Sequence, residues 1–333
     1  MMTRPVPLKA GIGLLFLGLI ACSGCSGCSG ARGEGASGEV RGGTSYAPYV
    51  NATTGSATDR AGSPSAYNLS FVVADGDRCA PVWDDRTGIG EASVKSRIRK
   101  LSSTGADVRV SFGGATDKEL AVTCGSAAAL AAAYAKALDA AGGATLADFD
   151  IEGDALADRE STALRAEAIA LLQKRRDLDV TFTLPVMPSG LDADSVALLE
   201  AANDKGVQVS TVNLMTMNYS ESHDGDMGGY AITAARAAHT QLKKVFGLSD
   251  AGAWKGMALT SMLGVNDVDG ETFTLSDAAQ VRTFARQRGI AWVSMWATFR
   301  DVQCKAGAAT QDPATDCSGV KQGPGAYARA LSG

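Results

Sequence analysis

The sequence predicts an α/β fold of the (β/α)8 TIM barrel type, with the first helix reduced or missing. Three observations point there. Short apolar runs alternate eight times with segments that are mostly of helical pattern, the signature of a parallel sheet with crossover helices. The chain has 333 residues, and a barrel takes roughly 200 to 250 as a single domain. The most distinctive motif, Asp148-Phe149-Asp150-Ile151-Glu152, ends the fourth run, and a barrel places its chemistry at the C-terminal ends of its strands. An open doubly wound sheet is the alternative. It would usually show a Gly-rich phosphate loop after its first strand, and none is visible.

The elements follow in order. Arg4 and Lys9 precede a ten-residue apolar run, Gly11 to Ile20, too short for a stable membrane anchor and the right size for a signal-peptide core. Leu19-Ile20-Ala21-Cys22 resembles the lipobox of bacterial lipoproteins, which implies cleavage before a lipid-bearing Cys22; an ordinary secretory signal is the other reading, and both export the protein. Residues 1–21 are thus the leader, and the Gly- and Ser-rich residues 22–43 a flexible tether. The catalytic domain is expected over 44–333. Its strands are expected near Ser45–Val50, Leu69–Ala74, Val108–Phe112, Leu146–Ile151, Val180–Pro185, Val212–Met217, Gly256–Met262 and Ala291–Ala297. Val94, Ile98 and Leu101 form a helical stripe, as do Leu130, Tyr134 and Leu138 in an Ala-rich stretch; Leu164, Ile169 and Leu172 form a less regular one. Ser276 is placed to cap the helix carrying Val281 and Phe284. Residues 51–67 hold Gly55, Gly62 and Pro64 and no stripe, so the first helix is expected to be missing or reduced.

Composition excludes several function classes. The formal charge is −5 with no basic cluster, which argues against nucleic acid as a partner. The two histidines, His223 and His239, lack metal-ligand spacing, so no metal or cofactor and no His-based triad is expected. Membrane contact is expected only through the N-terminal lipid anchor, and the protein is expected to be a monomer. Of seven cysteines, Cys79, Cys124, Cys304 and Cys317 fall in the body of the chain. Four cysteines allow three pairings, and sequence alone leaves them open. Cys304 and Cys317 bracket a Gly/Ala/Pro-containing loop that makes a local bridge easy, and Cys79 with Cys124 would be the other pair. Export permits such bridges.

The acidic motif carries the chemistry. In a strand, alternate side chains share a face, so Asp148, Asp150 and Glu152 line one side while Phe149 and Ile151 line the other. Crowded carboxylates repel, which raises at least one pKa and keeps an acid protonated near neutrality. Such a donor suits glycosidic bond cleavage. Ser111-Phe112-Gly113-Gly114-Ala115 ends the third strand, where the glycines allow close backbone approach or make a plain turn. Met215-Thr216-Met217-Asn218-Tyr219 ends the sixth; by parity Met215, Met217 and Tyr219 share a face, with Tyr219 at the mouth or in the core. Trp296, ending the eighth, is a flat plate for a sugar ring or a core filler.

Together these motifs resemble glycoside hydrolase family 18, the chitinase family, across about residues 44–333. Of its acidic signature Asp-x-x-Asp-x-Asp-x-Glu, the last three acids match Asp148, Asp150 and Glu152, and Thr145 replaces the first. Its Ser-x-Gly-Gly matches Ser111, Gly113 and Gly114, and its Met, Tyr and Trp look like Met217, Tyr219 and Trp296. Tyr46-Ala47-Pro48-Tyr49-Val50, Leu184-Pro185-Val186-Met187-Pro188 and Leu263-Gly264-Val265-Asn266-Asp267 also look like secreted bacterial chitinases. The resemblance implies hydrolysis of chitin or N-acetylchitooligosaccharides by a retaining, substrate-assisted route. Glu152 would be acid then base, Asp150 the group orienting the substrate acetamide, Tyr219 a hydrogen-bond donor to the acetamide oxygen, and Asp148 the tuner of Asp150. Substrate contacts are expected from Trp296, Met217, Asn218, Ser111, Gly113, Gly114, Tyr49 and Trp83, with Asp75 as a further polar contact. Asn218 stands where related bacterial enzymes often carry Asp. Two rivals remain: an endo-β-N-acetylglucosaminidase acting on N-glycans, and a non-catalytic lectin-like barrel.

Overall fold

The computed structural model describes residues 43–84, 86–307, 312–313 and 315–333. The expected leader, Cys22 and the tether up to residue 42 lie outside the described residues. Among the described residues, eight parallel strands close into a barrel. The first is in two pieces, Ser45–Tyr46 and Tyr49–Asn51. The others are Ala66–Asp75, Asp107–Gly113, Leu146–Asp150, Asp179–Pro185, Val209–Met215, Met257–Met262 and Trp292–Trp296. Closure falls on the split strand: Ser45 and Tyr46 pair with Trp292 and Val293, while Tyr49–Asn51 pair with Asn68, Leu69 and Ser70. The two pieces thus pair with the last and the second strands, on either side of Pro48, which has no N–H to give.

The helices form where the apolar stripes demand burial. Val94, Ile98 and Leu101 are buried by the helix Ala92–Ser102. Leu130, Tyr134 and Leu138 are buried by Ala127–Ala140, whose cap Ser126 accepts from the Ala129 N–H at 3.2 Å. The third stripe becomes Arg159–Gln173. No helix fills residues 52–65, where the chain runs through turns, as their Gly and Pro content predicts. The helix Leu275–Arg288 is capped by Thr274, two residues before the expected Ser276, because Thr274 and Asp277 form a reciprocal capping box.

Two hairpins decorate the barrel. Arg78–Trp83 turns back antiparallel on the second strand. This corrects the reading of Trp83 as a sugar platform: it is 0% exposed, inside the hydrophobic core. Asp75, at the turn, pairs with Arg78 instead of reaching a ligand site. The second hairpin, Gly264–Val265 with Thr272–Phe273, follows the seventh strand. Two disulfides lie among the described residues: Cys79–Cys124, with Cα atoms 4.6 Å apart, and Cys304–Cys317, 5.2 Å apart. The local bridge and its complement are therefore the pairs that form.

Candidate active site

The fourth strand builds the site. Register sets Ser111 and Thr181 beside Asp148, and Gly113 and Thr183 beside Asp150. The opposite face packs outward: Phe149 stacks on Phe112 at 5.3 Å and meets Tyr134 at 5.0 Å, and with Ile151 it is fully buried. That apolar grip fixes the rotation of the strand and turns all three acids the other way. After Asp150 the chain leaves the ladder, and Glu152 caps the short helix Gly153–Ala157 without spending its side chain on it. Its carboxyl is left for the cavity.

Asp148 is buried among hydroxyls. Ser111 donates to it at 2.5 Å, Thr183 at 2.7 Å and Tyr49 at 2.8 Å. Burial raises its pKa, while those three bonds and the nearby Arg109 charge pull it back. Asn213 donates to Thr183 at 2.9 Å and accepts from Thr260 at 2.8 Å, so five neighbouring strands hold the cradle. Ser111 is thus a partner of Asp148, not a substrate contact, because it is fully enclosed. Asp150 is 5% exposed and its Oδ1 has no hydrogen-bond partner. Burial, then the charges of Glu152 and Asp148, hold its pKa well above the carboxylate range. Glu152 is pushed up to about 7, first by burial and also by the Asp267 charge, while its hydrogen bond with Asp150 opposes the rise. Asp150 therefore holds a proton against Glu152, and Glu152 itself exchanges one near neutrality.

A cavity of about 280 Å³ opens above this pair. Tyr49, Phe71, Met215, Met217, Met262, Trp296 and Phe299 give it apolar walls, and Asp150, Glu152, Thr183, Asn218, Thr260 and Asp267 give it polar ones. Trp296 stacks on Phe71 with centroids 5.5 Å apart and 20° between planes, and meets Tyr49 edge-on at 5.8 Å. Gly113 and Gly114 are required: both take positive φ, a Cβ on Gly113 would strike the Asp150 carbonyl, and one on Gly114 would lie 2.8 Å from the Phe71 ring. They bring backbones together, and neither lines this cavity.

Strand parity misplaces Tyr219. The sixth strand stops at Met215, and Asn218 turns the chain with φ of 55°. Met217 and Asn218 line the cavity, but the Tyr219 ring packs against His223 and Tyr230 at 5.8 and 6.1 Å. Its hydroxyl is buried and unpartnered. Thr145 is exposed just before the fourth strand, at the barrel end opposite the acids. The sequence reading missed Phe71, Thr183, Asp267, Phe299 and Thr315. Asp267 sits in a stretch singled out for another reason, Phe299 lies three residues beyond Trp296, and Thr183 follows from register with Asp150. No local signal marks Phe71 or Thr315.

No family model matches the chain. The "Probable bifunctional chitinase/lysozyme" of Escherichia coli (strain K12) is 36% identical over 277 residues, 77% of this chain and 31% of the relative. "Endochitinase 11" of Metarhizium anisopliae is 34% identical over 278 residues, 77% and 52% respectively. The chain thus spans from about a third to about half of the length of these curated relatives. Active domain 2 of a Pyrococcus furiosus chitinase, solved as catalytic site mutants, superposes with a TM-score of 0.75 at 29% identity, covering 86% of this chain and 93% of that one. A GH18 chitinase from Pseudoalteromonas aurantia, at 16% identity, superposes with a TM-score of 0.54, covering 76% and 94%; this second likeness concerns the fold alone. The acids of the fourth strand, the glycines packed against them and these likenesses converge, and the chain belongs to glycoside hydrolase family 18.

Proposed function

We propose that the protein is a chitinase that cleaves β-1,4 bonds between N-acetylglucosamine units with retention, using the substrate's own acetamide as nucleophile. One observation carries this reading: Glu152, with a pKa of about 7, shares a cavity with a buried, unpartnered Asp150 oxygen and the Trp296 plate. Glu152 gives its proton to the glycosidic oxygen as the C1–O bond breaks. The acetamide oxygen forms the new bond to C1 and closes an oxazolinium ring. Asp150 orients the acetamide N–H and faces its developing charge. Water then attacks C1, Glu152 takes the proton, and the ring reopens. The Asp148 charge helps keep Asp150 protonated, and the Asp267 charge does the same for Glu152. Trp296 and the methionines cover the apolar face of the sugar. Asn218, which lines the cavity, is assigned as the donor at that wall, while the Tyr219 ring packs against His223 and Tyr230. Thr183 and Thr260 complete the polar side of the same cavity.

The related Pyrococcus furiosus domain has also been solved with chito-oligosaccharides, which supports the substrate class. Export is part of the proposal, with lipid on Cys22. The leader pattern supports it, and so do two disulfides, which persist outside reducing compartments. The mass of the mature N-terminus tests that part; an unmodified residue there would refute the anchor. The catalytic test is Glu152→Gln, which keeps size and hydrogen bonding but removes the acid. The variant is expected to lose at least about a thousandfold in kcat on N-acetylchitooligosaccharides. Release of sugar at the parental rate would refute the mechanism. Activity on N-glycoproteins alone, in a parallel assay, would move the substrate from chitin to N-glycans.

A further inference from the structure

Arg109 is a buried cation that the proposed reaction leaves unused. It sits on the third strand two residues before Ser111 and on the same face, so it enters the bore of the barrel beneath the acids. There the guanidinium crosses the floor. It donates to Asn68 Oδ1 on the second strand at 2.6 Å and lies over Trp292 on the eighth, 4.8 Å from the ring centroid. Asn68 is held in turn by donating to the Ala47 carbonyl at 2.8 Å. All of these neighbours are neutral, and among the described residues Arg109 enters no ion pair. A guanidinium keeps its proton at any working pH, so the barrel floor carries a permanent positive charge. Burying an ion without a counter-ion costs stability, and a neutral side chain of that length would fill the floor as well.

Strand register decides which group meets that charge. Ser111 stands beside Asp148 on the neighbouring strand, and Arg109 one step lower, about 7 Å along it. Asp148 is thus the buried carboxyl directly above Arg109. The other groups facing Arg109 are the Tyr49 hydroxyl, itself bonded to Asp148, and Asp107 and Asp179, both exposed at the foot of their strands. Above Asp148 come Asp150 and then Glu152, which Asp267 faces from the hairpin. One cation and three carboxyls therefore rise in order through the bore. An ionised Asp148 over Arg109 forms a dipole with its negative end toward Asp150, and a protonated Asp148 does not.

We propose that Arg109 is a positioning residue of the reaction: its charge holds Asp148 as a carboxylate beneath Asp150, and through that carboxylate it keeps the Asp150 and Glu152 pair protonated to higher pH. The proposal rests on the reading of Glu152 as the acid and adds the group that tunes the pair from below. Without the cation, Asp148 takes up a proton, the pair loses a negative neighbour, and its own proton leaves more readily. The test is the pH profile of kcat/KM on N-acetylchitooligosaccharides with the full mature chain. Arg109→Met is expected to move the descending limb, near pH 7 in the native chain, about one unit lower, so that it falls about tenfold below the native chain at about pH 8. Arg109→Lys keeps the charge but loses the planar contact with Trp292 and the fork on Asn68, and is expected to leave the limb in place. Asp148→Asn is expected to lower the limb in the native chain and to leave it unmoved in Arg109→Met, where Asp148 is already neutral. A limb unmoved in Arg109→Met, or moved as far by Arg109→Lys, would overturn the proposal and leave Arg109 a packing residue of the floor. A further shift on adding Asp148→Asn to Arg109→Met would break the link through Asp148. If Arg109→Met does not fold, the native chain decides: the carbon-13 carboxyl resonance of Asp148, identified by its loss in Asp148→Asn, is expected in the ionised range at about pH 6, and a protonated shift there would overturn the proposal. Failure of the underlying reading shows separately, as parental activity in Glu152→Gln.

Discussion

Two residues apart at the end of one strand, Asp150 and Glu152 acquire different roles because their surroundings differ. Asp150 is enclosed, with a carboxyl on either side, so its proton is held tightly. Glu152 stands at the rim, where burial and Asp267 place its pKa at about 7. The rate should therefore fall as pH rises through about 7, when the acid form of Glu152 disappears; a pH profile of kcat/KM checks this, and a flat profile to pH 9 would refute it. The same shift has a stability consequence. The folded value lies above the ordinary 4.5, so the stabilising contribution is complete below about 4.5 and lost as pH rises through about 7. The difference, 7 minus 4.5, amounts to about 3 kcal/mol for a group largely out of water. Glu152→Gln removes that cost, so the inactive variant should melt above the native protein at pH 8 and equally with it at pH 4. Thermal melts at the two values test this; a native protein that melts as high as the variant at pH 8 would contradict it. At this scale the acids were legible in the sequence, because side-chain alternation is a property of the local backbone. Trp83 and Tyr219 were not: one follows the second strand and the other the sixth, but the direction of each is set by a hairpin in one case and a left-handed Asn218 in the other.

The hairpin after the seventh strand shows how an element serves a site from outside the barrel. Asn266 donates to the carbonyls of Met262 and Gly264 at 3.0 and 2.9 Å, folding the tip so that Asp267 borders the cavity. At its far end the buried Glu271 accepts from the backbone N–H groups of Asn218, Tyr219 and Ser220 at 2.7, 2.5 and 3.0 Å. One short element thus places Asp267 and holds the loop that carries Asn218 and Tyr219. Glu271→Gln replaces one acceptor oxygen with a donor that faces N–H groups, a loss of about 2 to 3 kcal/mol. We expect kcat/KM to fall about tenfold or more and the melting temperature by several degrees, with the Glu152 limb of the pH profile unmoved. Unchanged kinetics in a folded Glu271→Gln protein would show that the hairpin does not organise the site. The sequence marked Leu263–Asp267 as noteworthy but assigned it no role, because the hairpin's partner lies some fifty residues earlier in the chain.

In the whole molecule, the barrel converges on one end and the disulfides tie down what surrounds that end. Cys79–Cys124 fastens the hairpin Arg78–Trp83 to the helix Leu120–Thr123. Cys304–Cys317 closes the segment that brings Thr315 to the cavity, and the buried Arg300 binds the carbonyls of Val265 and Pro313 at 2.7 and 2.6 Å across it. Separations of 45 and 13 residues correspond to about 4 and 3 kcal/mol in the chain-entropy account. Replacing Cys79 and Cys124 by Ala should lower the urea midpoint substantially, and reductant should then have a smaller effect on the variant than on the native chain. Equal midpoints with and without reductant in the native chain would refute a stabilising role.

The sequence by itself determined the (β/α)8 barrel, the strand that carries the acids, the face they share and the glycines that let neighbouring strands close on them. All of these follow from local periodicity and from which residues tolerate a given backbone angle. Only the tertiary structure decided which groups meet those acids: the hydroxyl cradle around Asp148, Phe71 against Trp296, and Asp267 beside Glu152. These contacts join residues tens to hundreds of positions apart, and they exist because closing the barrel brings the ends of eight strands to one rim.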